Sequence, residues 1–114
     1  MSFMFSGCNN LISLNITNFV ASKVRNLGSM FQDCSNLKTL DLRNFNTSFV
    51  TNMASTFKGC TSLESLDLSN FNTPLVTNML GMFMNCSKLK SLDLKNFKTS
   101  KVKYMFYMFG HLKI

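Results

Sequence analysis

Apolar and polar positions along the chain recur with one fixed period, each returning at i+26. One phenylalanine column runs through Phe5, Phe31, Phe57, Phe83 and Phe109, and a cysteine column through Cys8, Cys34, Cys60 and Cys86. Leucines follow at 11, 37, 63 and 89, then at 14, 40, 66 and 92. Two residues further on stand Ile16, Leu42, Leu68 and Leu94. A second aromatic column (Phe19, Phe45, Phe71, Phe97) and a valine column (Val24, Val50, Val76, Val102) complete each unit. Self-similarity at such a fixed period marks a repeat array, in which each unit buries its apolar side against its neighbours.

Two local periods alternate inside the unit. The L-x-x-L-x-L segment has period-2 alternation, which predicts a short strand with Leu66 and Leu68 inward and Asp67 outward. Val50, Met53 and Phe57 are spaced i, i+3, i+7, which predicts a helix of about two turns. Asn26, Asn52 and Asn78 precede it as expected N-caps. Gly7, Asp33, Gly59, Asn85 and His111 share one column, and these types tolerate the positive φ that ends a helix. The expected fold is an α/β repeat solenoid of about four rungs, with a parallel β ladder on one face and short helices on the other. It is expected as one unit over residues 1–114, with repeats at about 8–33, 34–59, 60–85 and 86–111.

Composition adds to this picture without changing it. With 46% hydrophobic and 15% charged residues, the chain of 114 residues is a packed protein rather than a disordered tail. The net charge of +7 is uneven. Residues 86–114 carry Lys88, Lys90, Lys95, Lys98, Lys101, Lys103 and Lys113 against Asp93, whereas residues 60–85 hold Glu64 and Asp67 and no base. No run approaches the ~18 apolar residues of a membrane span. Ser6-Gly7-Cys8 lacks the positive segment and long apolar run of a signal peptide, and Cys8 is in register with the repeat.

The pattern MF-x-x-C-x-x-L-x-x-L-D-L-x-N-F-x-T-x-x-V-x-N-M resembles the BspA-like leucine-rich repeats of bacterial and protist surface proteins, over residues 1–112. The resemblance implies a non-enzymatic binding or adhesion module, displayed at the cell surface or secreted, with a host or extracellular-matrix protein as partner. One departure concerns the turn. The ordinary leucine-rich repeat places asparagine where this chain has Phe19, Phe45, Phe71 and Phe97. Asparagine stands one residue earlier, at Asn18, Asn44, Asn70 and Asn96, so the turn ladder is built differently or from these shifted side chains.

Candidate chemistry is sparse. Cysteines one full period apart form a straight column rather than a converging tetrahedron, which argues against zinc, and parallel side chains suit disulfides poorly. They are expected as a ladder of buried thiols. The outward strand positions are Thr39, Asp41 and Arg43, then Ser65, Asp67 and Ser69, then Ser91, Asp93 and Lys95, with Asn15 replacing aspartate in the first copy. This is the candidate partner-binding face. Calcium is not expected there, because one flat column cannot wrap an ion with six to eight oxygens. Lys95, Lys98, Lys101 and Lys103 form a candidate basic patch, with the aromatics expected in core columns and nucleic acid a weak prospect. The sole histidine, His111, lies in the positive-φ column, and no nucleophile–base pair stands out. No cofactor and no catalysis are therefore expected.

The leading reading is a non-catalytic protein-binding or adhesion module. A structural spacer without a ligand, and a weak polyanion binder using the C-terminal lysines, stand beside it. Neither end carries a polar capping repeat, so a piece of a longer array and end-to-end association are also expected. Alkylation after non-reducing denaturation is expected to modify all four cysteines, read by mass spectrometry; fewer would mean a disulfide.

Overall fold

The sequence period becomes a stack of layers, because backbone groups of each copy bond to the copy one period away. In the computed structural model, which describes residues 1–114, the second half of every copy alternates between two kinds of hydrogen bond. The N–H groups of Leu27, Ser29, Phe31 and Asp33 donate to the carbonyls of Asn52, Ala54, Thr56 and Lys58 in the next layer. The N–H groups between them turn back three residues, as Met30 does to Leu27, Gln32 to Ser29 and Cys34 to Phe31. The following copies repeat this pattern from Met53 and from Met79.

That alternation corrects the expected architecture. There are no helices, and strand is confined to β1 (Ser13–Asn15) and β2 (Thr39–Asp41), which pair in parallel with Leu14 opposite Leu40. The α/β stack with a helical face and a β ladder of about four rungs is not formed. A helix needs successive N–H groups to reach back four residues, whereas here every second one is spent on the neighbouring layer. Positive φ intervenes as well, at Phe3, Ser29, Ser55, Gly81 and Tyr107, which again share one column of the repeat. A left-handed residue after Val50 and Met53 stops helical winding before one turn closes.

The predicted N-caps have a different task. Asn26, Asn52 and Asn78 each accept the N–H two residues on (Gly28, Ala54, Leu80) at 2.8, 3.0 and 3.0 Å. These are Asx turns. The three asparagines also form parallel bridges to one another, and Asn78 to Tyr104. The strands are short for a similar reason. Asn15 and Asp41 bend the chain at the third strand residue by accepting the N–H of Thr17 and Arg43. In the third and fourth copies the equivalent residues form no strand, and the Lys90 N–H to the Glu64 carbonyl at 3.1 Å is a cross-layer bond there.

The core is one cluster of 25 buried apolar residues drawn from the repeating columns. Phe5, Phe31, Phe57, Phe83 and Phe109 stack nearly parallel, with successive centroids 5.6, 5.8, 5.6 and 6.2 Å apart. The second column includes the Phe71–Phe97 stack at 6.3 Å. Leu66 and Leu68 are buried and Asp67 exposed, as the alternation predicts. Cys34, Cys60 and Cys86 are buried free thiols, each within sulfur hydrogen-bond range of a carbonyl in the preceding layer (Phe5, Phe31, Phe57) at 3.0–3.2 Å. Burial pushes the Cys34 thiol up to about 11 and Cys86 to about 12, and raises Cys60 further still. Cys8 departs from the expected ladder of buried thiols: it is exposed.

The shifted asparagines do build the turn ladder. Asn44 Nδ2 donates to the Thr17 carbonyl at 2.7 Å, and Asn70 Nδ2 lies within 3.1 Å of the carbonyls of Leu42, Arg43 and Phe45. Buried Thr47 and Thr73 add a second brace, each hydroxyl donating to a carbonyl and accepting an N–H of the next layer. Every buried side-chain nitrogen and oxygen has a hydrogen-bond partner.

The positive-φ column expected at Gly7, Asp33, Gly59, Asn85 and His111 is present, with φ of 72°, 58°, 74°, 63° and 59°. Glycine is required at 59 for a further reason. A Cβ there would lie 2.1 Å from Asp33 Oδ1 and 3.2 Å from Asp33 Cα, whereas one at Gly7 would meet nothing within 4 Å. Gly7→Ala is therefore expected to cost about 1–2 kcal/mol from backbone strain. Gly59→Ala should cost about 1–3 kcal/mol more, from the clash. Urea denaturation checks this; equal losses would refute the steric argument.

Candidate functional site

The outward residues of the strand segments define one exposed face, and layering decides which of them meet. Ser13, Asn15, Thr39, Asp41, Arg43, Ser65 and Asp67 line an open depression of about 480 Å³, with Leu14, Leu40 and Leu42 in its wall. Five sequence-predicted residues thus come together: Thr39, Asp41, Arg43, Ser65 and Asp67. Ser69, Ser91, Asp93 and Lys95 lie on the surface outside the depression. Ser13 was not anticipated. Its signal was in the repeat, because it is the first-copy equivalent of Thr39 and Ser65.

The aspartate column is first a backbone device. Asp41, Asp67 and Asp93 each accept, through Oδ1, the N–H two residues on (Arg43, Ser69, Lys95) at 3.1, 2.9 and 3.0 Å. Asn15 does the same to Thr17 at 3.0 Å, which explains why asparagine replaces aspartate there without loss of the turn. The turn fixes the direction of each carboxylate, so the face is held by the main chain rather than by loose side chains.

Charge distinguishes the three aspartates. Arg43 grips Asp41 through Nε–Oδ1 at 3.0 Å and Nη2–Oδ2 at 2.6 Å, a planar fork matched to a carboxylate. The Arg43 side chain, and secondarily its N–H, pulls the Asp41 carboxyl down to about 2, and the Arg43 guanidinium is raised in return. Asp93 forms an ion pair with Lys95 at 3.1 Å. Its carboxyl is lowered by the Lys95 N–H and then by the Lys95 side chain. Asp67 is lowered by the Ser69 side chain and N–H, and no lysine or arginine forms an ion pair with it. The depression therefore offers one carboxylate outside any ion pair, on which Arg43 acts only at longer range, together with an exposed guanidinium, three hydroxyls and an amide. Such a set recognises polar and basic groups; no group of three or more His, Cys, Asp or Glu gathers to hold a metal ion.

Lys95, Lys98, Lys101 and Lys103 are all exposed. Lys95 is partly committed to Asp93, and the Lys98 N–H to the Thr73 hydroxyl at 2.7 Å. The expectation that aromatics stay in the core fails beside this patch, where Tyr104, Phe106 and Tyr107 are exposed. They lie in the last of the stacked layers. His111 is an exposed turn residue in the left-handed region. No helix is long and apolar enough to cross a membrane.

These carboxylates predict the acid response. Because the Asp41 carboxyl is depressed in the folded state, its stabilisation is present above the ordinary 3.8 and is lost as pH falls through about 2. Asp67 and Asp93 shift in the same direction. Thermal unfolding followed at pH 7 and at about pH 2 should show Asp41→Asn flattening this acid loss, the variant lying below wild type at pH 7 and converging with it in acid. Asp41→Ala, which removes the turn acceptor, should be less stable at both pH values.

No curated protein and no solved structure matches the chain. A protein-family model matches residues 1–114, the whole sequence. On that match, the chain belongs to the family described as "Mycoplasma protein of unknown function, DUF285".

Proposed function

We propose that the chain is a non-catalytic protein-binding or adhesion module of a surface-displayed protein, and that its partner docks on the face over β1 and β2. The observation that carries this reading is the depression itself. It joins the Asp67 carboxylate, which forms no ion pair, with Arg43 and the hydroxyls of Ser13, Thr39 and Ser65, on a backbone fixed by successive Asx turns. A preorganised polar surface of this kind binds with little ordering cost. The closer affiliation with BspA-like surface-protein repeats belongs to the same proposal and rests on the MF-x-x-C to V-x-N-M pattern. It points to an extracellular-matrix or host protein as the partner.

A second reading, polyanion binding at the C-terminal lysines, draws support from the exposed Tyr104, Phe106 and Tyr107 beside Lys103. Aromatic faces next to basic groups suit stacking together with phosphate or sulfate contact.

The test is binding of the 114-residue chain to an immobilised basement-membrane matrix preparation, with heparin as a parallel surface. Saturable matrix binding is expected, weakened about tenfold or more, equivalent to about 1.4 kcal/mol, by Asp67→Asn with Arg43→Gln. Asparagine keeps the turn acceptor, as Asn15 does, so the variant stays folded. Absence of saturable matrix binding, or binding indifferent to these changes, sinks the proposal and favours a ligand-free spacer. Salt-sensitive heparin retention lost on reversing Lys98, Lys101 and Lys103 would favour the second reading.

A further inference from the structure

Each copy folds one tight turn at the same place, and the four turns stack into a ridge. The N–H groups of Val24, Val50, Val76 and Val102 donate to the carbonyls of Ala21, Thr47, Thr73 and Thr99, closing turns whose two central residues form the tip. The tips are Ser22-Lys23, Ser48-Phe49, Pro74-Leu75 and Ser100-Lys101. In the two inner turns the flanking residues are buried, Thr47 and Val50 in one and Thr73 and Val76 in the other, so the tips stand out from an anchored base. Phe49 is 47% exposed although a layer lies on either side of it, and Leu75 is half-buried in the same setting. Surface position is thus a property of the turn itself in every layer.

A second row runs beside the tips. Thr51 N–H donates to the Arg25 carbonyl, Thr77 N–H to that of Thr51 and Lys103 N–H to that of Thr77, at 2.8, 2.9 and 2.8 Å. The Thr51 and Thr77 hydroxyls donate to the carbonyls of Arg25 and Thr51 as well, at 3.1 and 3.2 Å. This ladder fixes the register of the tips two residues upstream, and both rows read alike across the layers. The tip row is Lys23, Phe49, Leu75, Lys101, and the ladder row is Arg25, Thr51, Thr77, Lys103. Cations take the outer places and uncharged residues the inner ones. Segments 21–25, 47–51, 73–77 and 99–103 contain no acid; the chain's acids are Asp33, Asp41, Glu64, Asp67 and Asp93. Lys23 and Arg25 share a depression of about 360 Å³ with Ser22 and Phe49, which sets two cations beside an exposed aromatic.

We propose that this ridge docks on the surface of an anionic phospholipid bilayer. The Phe49 and Leu75 tips enter the boundary between headgroups and acyl chains, and Lys23, Arg25, Lys101 and Lys103 hold the anionic headgroups around them. The apolar tips protrude instead of lining a groove, so their complement is a soft phase that opens around them. A soluble polyanion has no apolar phase to receive Phe49 and Leu75. The rows carry cations without a single acid, which complements a surface of uniform negative charge. Apolar burial and attraction to anionic lipids then act together, as they do for an amphipathic helix lying in the interface. None of these residues lines the depression over β1 and β2, so the inference is independent of the partner face. It also differs from polyanion binding at the C-terminal lysines, which needs neither Phe49 nor Leu75.

Co-sedimentation of the 114-residue chain with vesicles tests it, two parts phosphatidylcholine to one part phosphatidylserine against phosphatidylcholine alone. Saturable binding is expected on the mixed vesicles, absent on phosphatidylcholine and falling as salt is raised. Phe49→Ser with Leu75→Ser should weaken it about tenfold or more, and Lys23→Glu with Lys101→Glu should abolish it. Phe49→Trp keeps the tip apolar and, because the chain has no tryptophan, reports on that tip alone. Its emission should shift to the blue on mixed vesicles and be quenched by lipids brominated on their acyl chains. No binding to mixed vesicles at low salt overturns the proposal, as does tryptophan emission that these vesicles leave unchanged. Binding that survives either pair of substitutions overturns it as well, and displacement by heparin would then assign the ridge to soluble polyanions. Should the serine variant misfold, the tryptophan variant decides.

Discussion

The structure depends on a division of labour among backbone N–H groups. Every second one in the back half of a copy goes to the next layer, and its neighbours close three-residue turns within the layer. A buried amide must have a partner, and here the partner is a carbonyl three residues back, a carbonyl of the next layer, or, at Gly28, Ala54 and Leu80, the asparagine side chain of an Asx turn. The repeat length is therefore a condition of bonding as well as a habit of the sequence. One inserted residue would put every outward donor out of step with its acceptor. The aromatic stacks, the thiol column and the threonine braces all sit within the frame this alternation sets.

Side-chain columns were plain in the sequence because packing reads only the period. Phe31, Phe57 and Phe83 fall one period apart and lie one above another, and Leu66 and Leu68 turn inward around Asp67. The left-handed column at 7, 33, 59, 85 and 111 was equally legible, since glycine, aspartate, asparagine and histidine accept that conformation more readily than most residues. The helix misled for a physical reason. Spacing of i, i+3, i+7 is satisfied by any chain that brings Val50, Met53 and Phe57 to one side, and consecutive tight turns do so as well. What excludes the helix is the second left-handed column, occupied by Phe3, Ser29, Ser55 and Tyr107, residue types that give no hint of it; only Gly81 does.

The candidate face was half legible. Alternation identified its outward residues, but not which of them share a depression, because that depends on how far the strand segments stay paired. Pairing fades after β2, and the fourth-copy residues Ser91, Asp93 and Lys95 fall outside. The aspartates had two roles folded into one pattern. Their recurrence reflects the Asx turn, which Asn15 serves as well, while their charge is what differs from layer to layer: clasped by Arg43 at Asp41, paired with Lys95 at Asp93, unclasped at Asp67.

The contact between Gly59 and Asp33 bears on how such an array can change over generations. The column reads Gly7, Asp33, Gly59, Asn85 and His111. The Asp33 side chain occupies the space that Gly59 leaves, so a Cβ at position 59 would meet Asp33 Oδ1 at 2.1 Å. Further along, Asn85 and His111 follow one another with side chains of their own. Copies are therefore not interchangeable at every place in the stack. A duplication that set a second aspartate-bearing copy directly after Asp33 would put two side chains in one space. Inheritance in this array constrains neighbours rather than single copies.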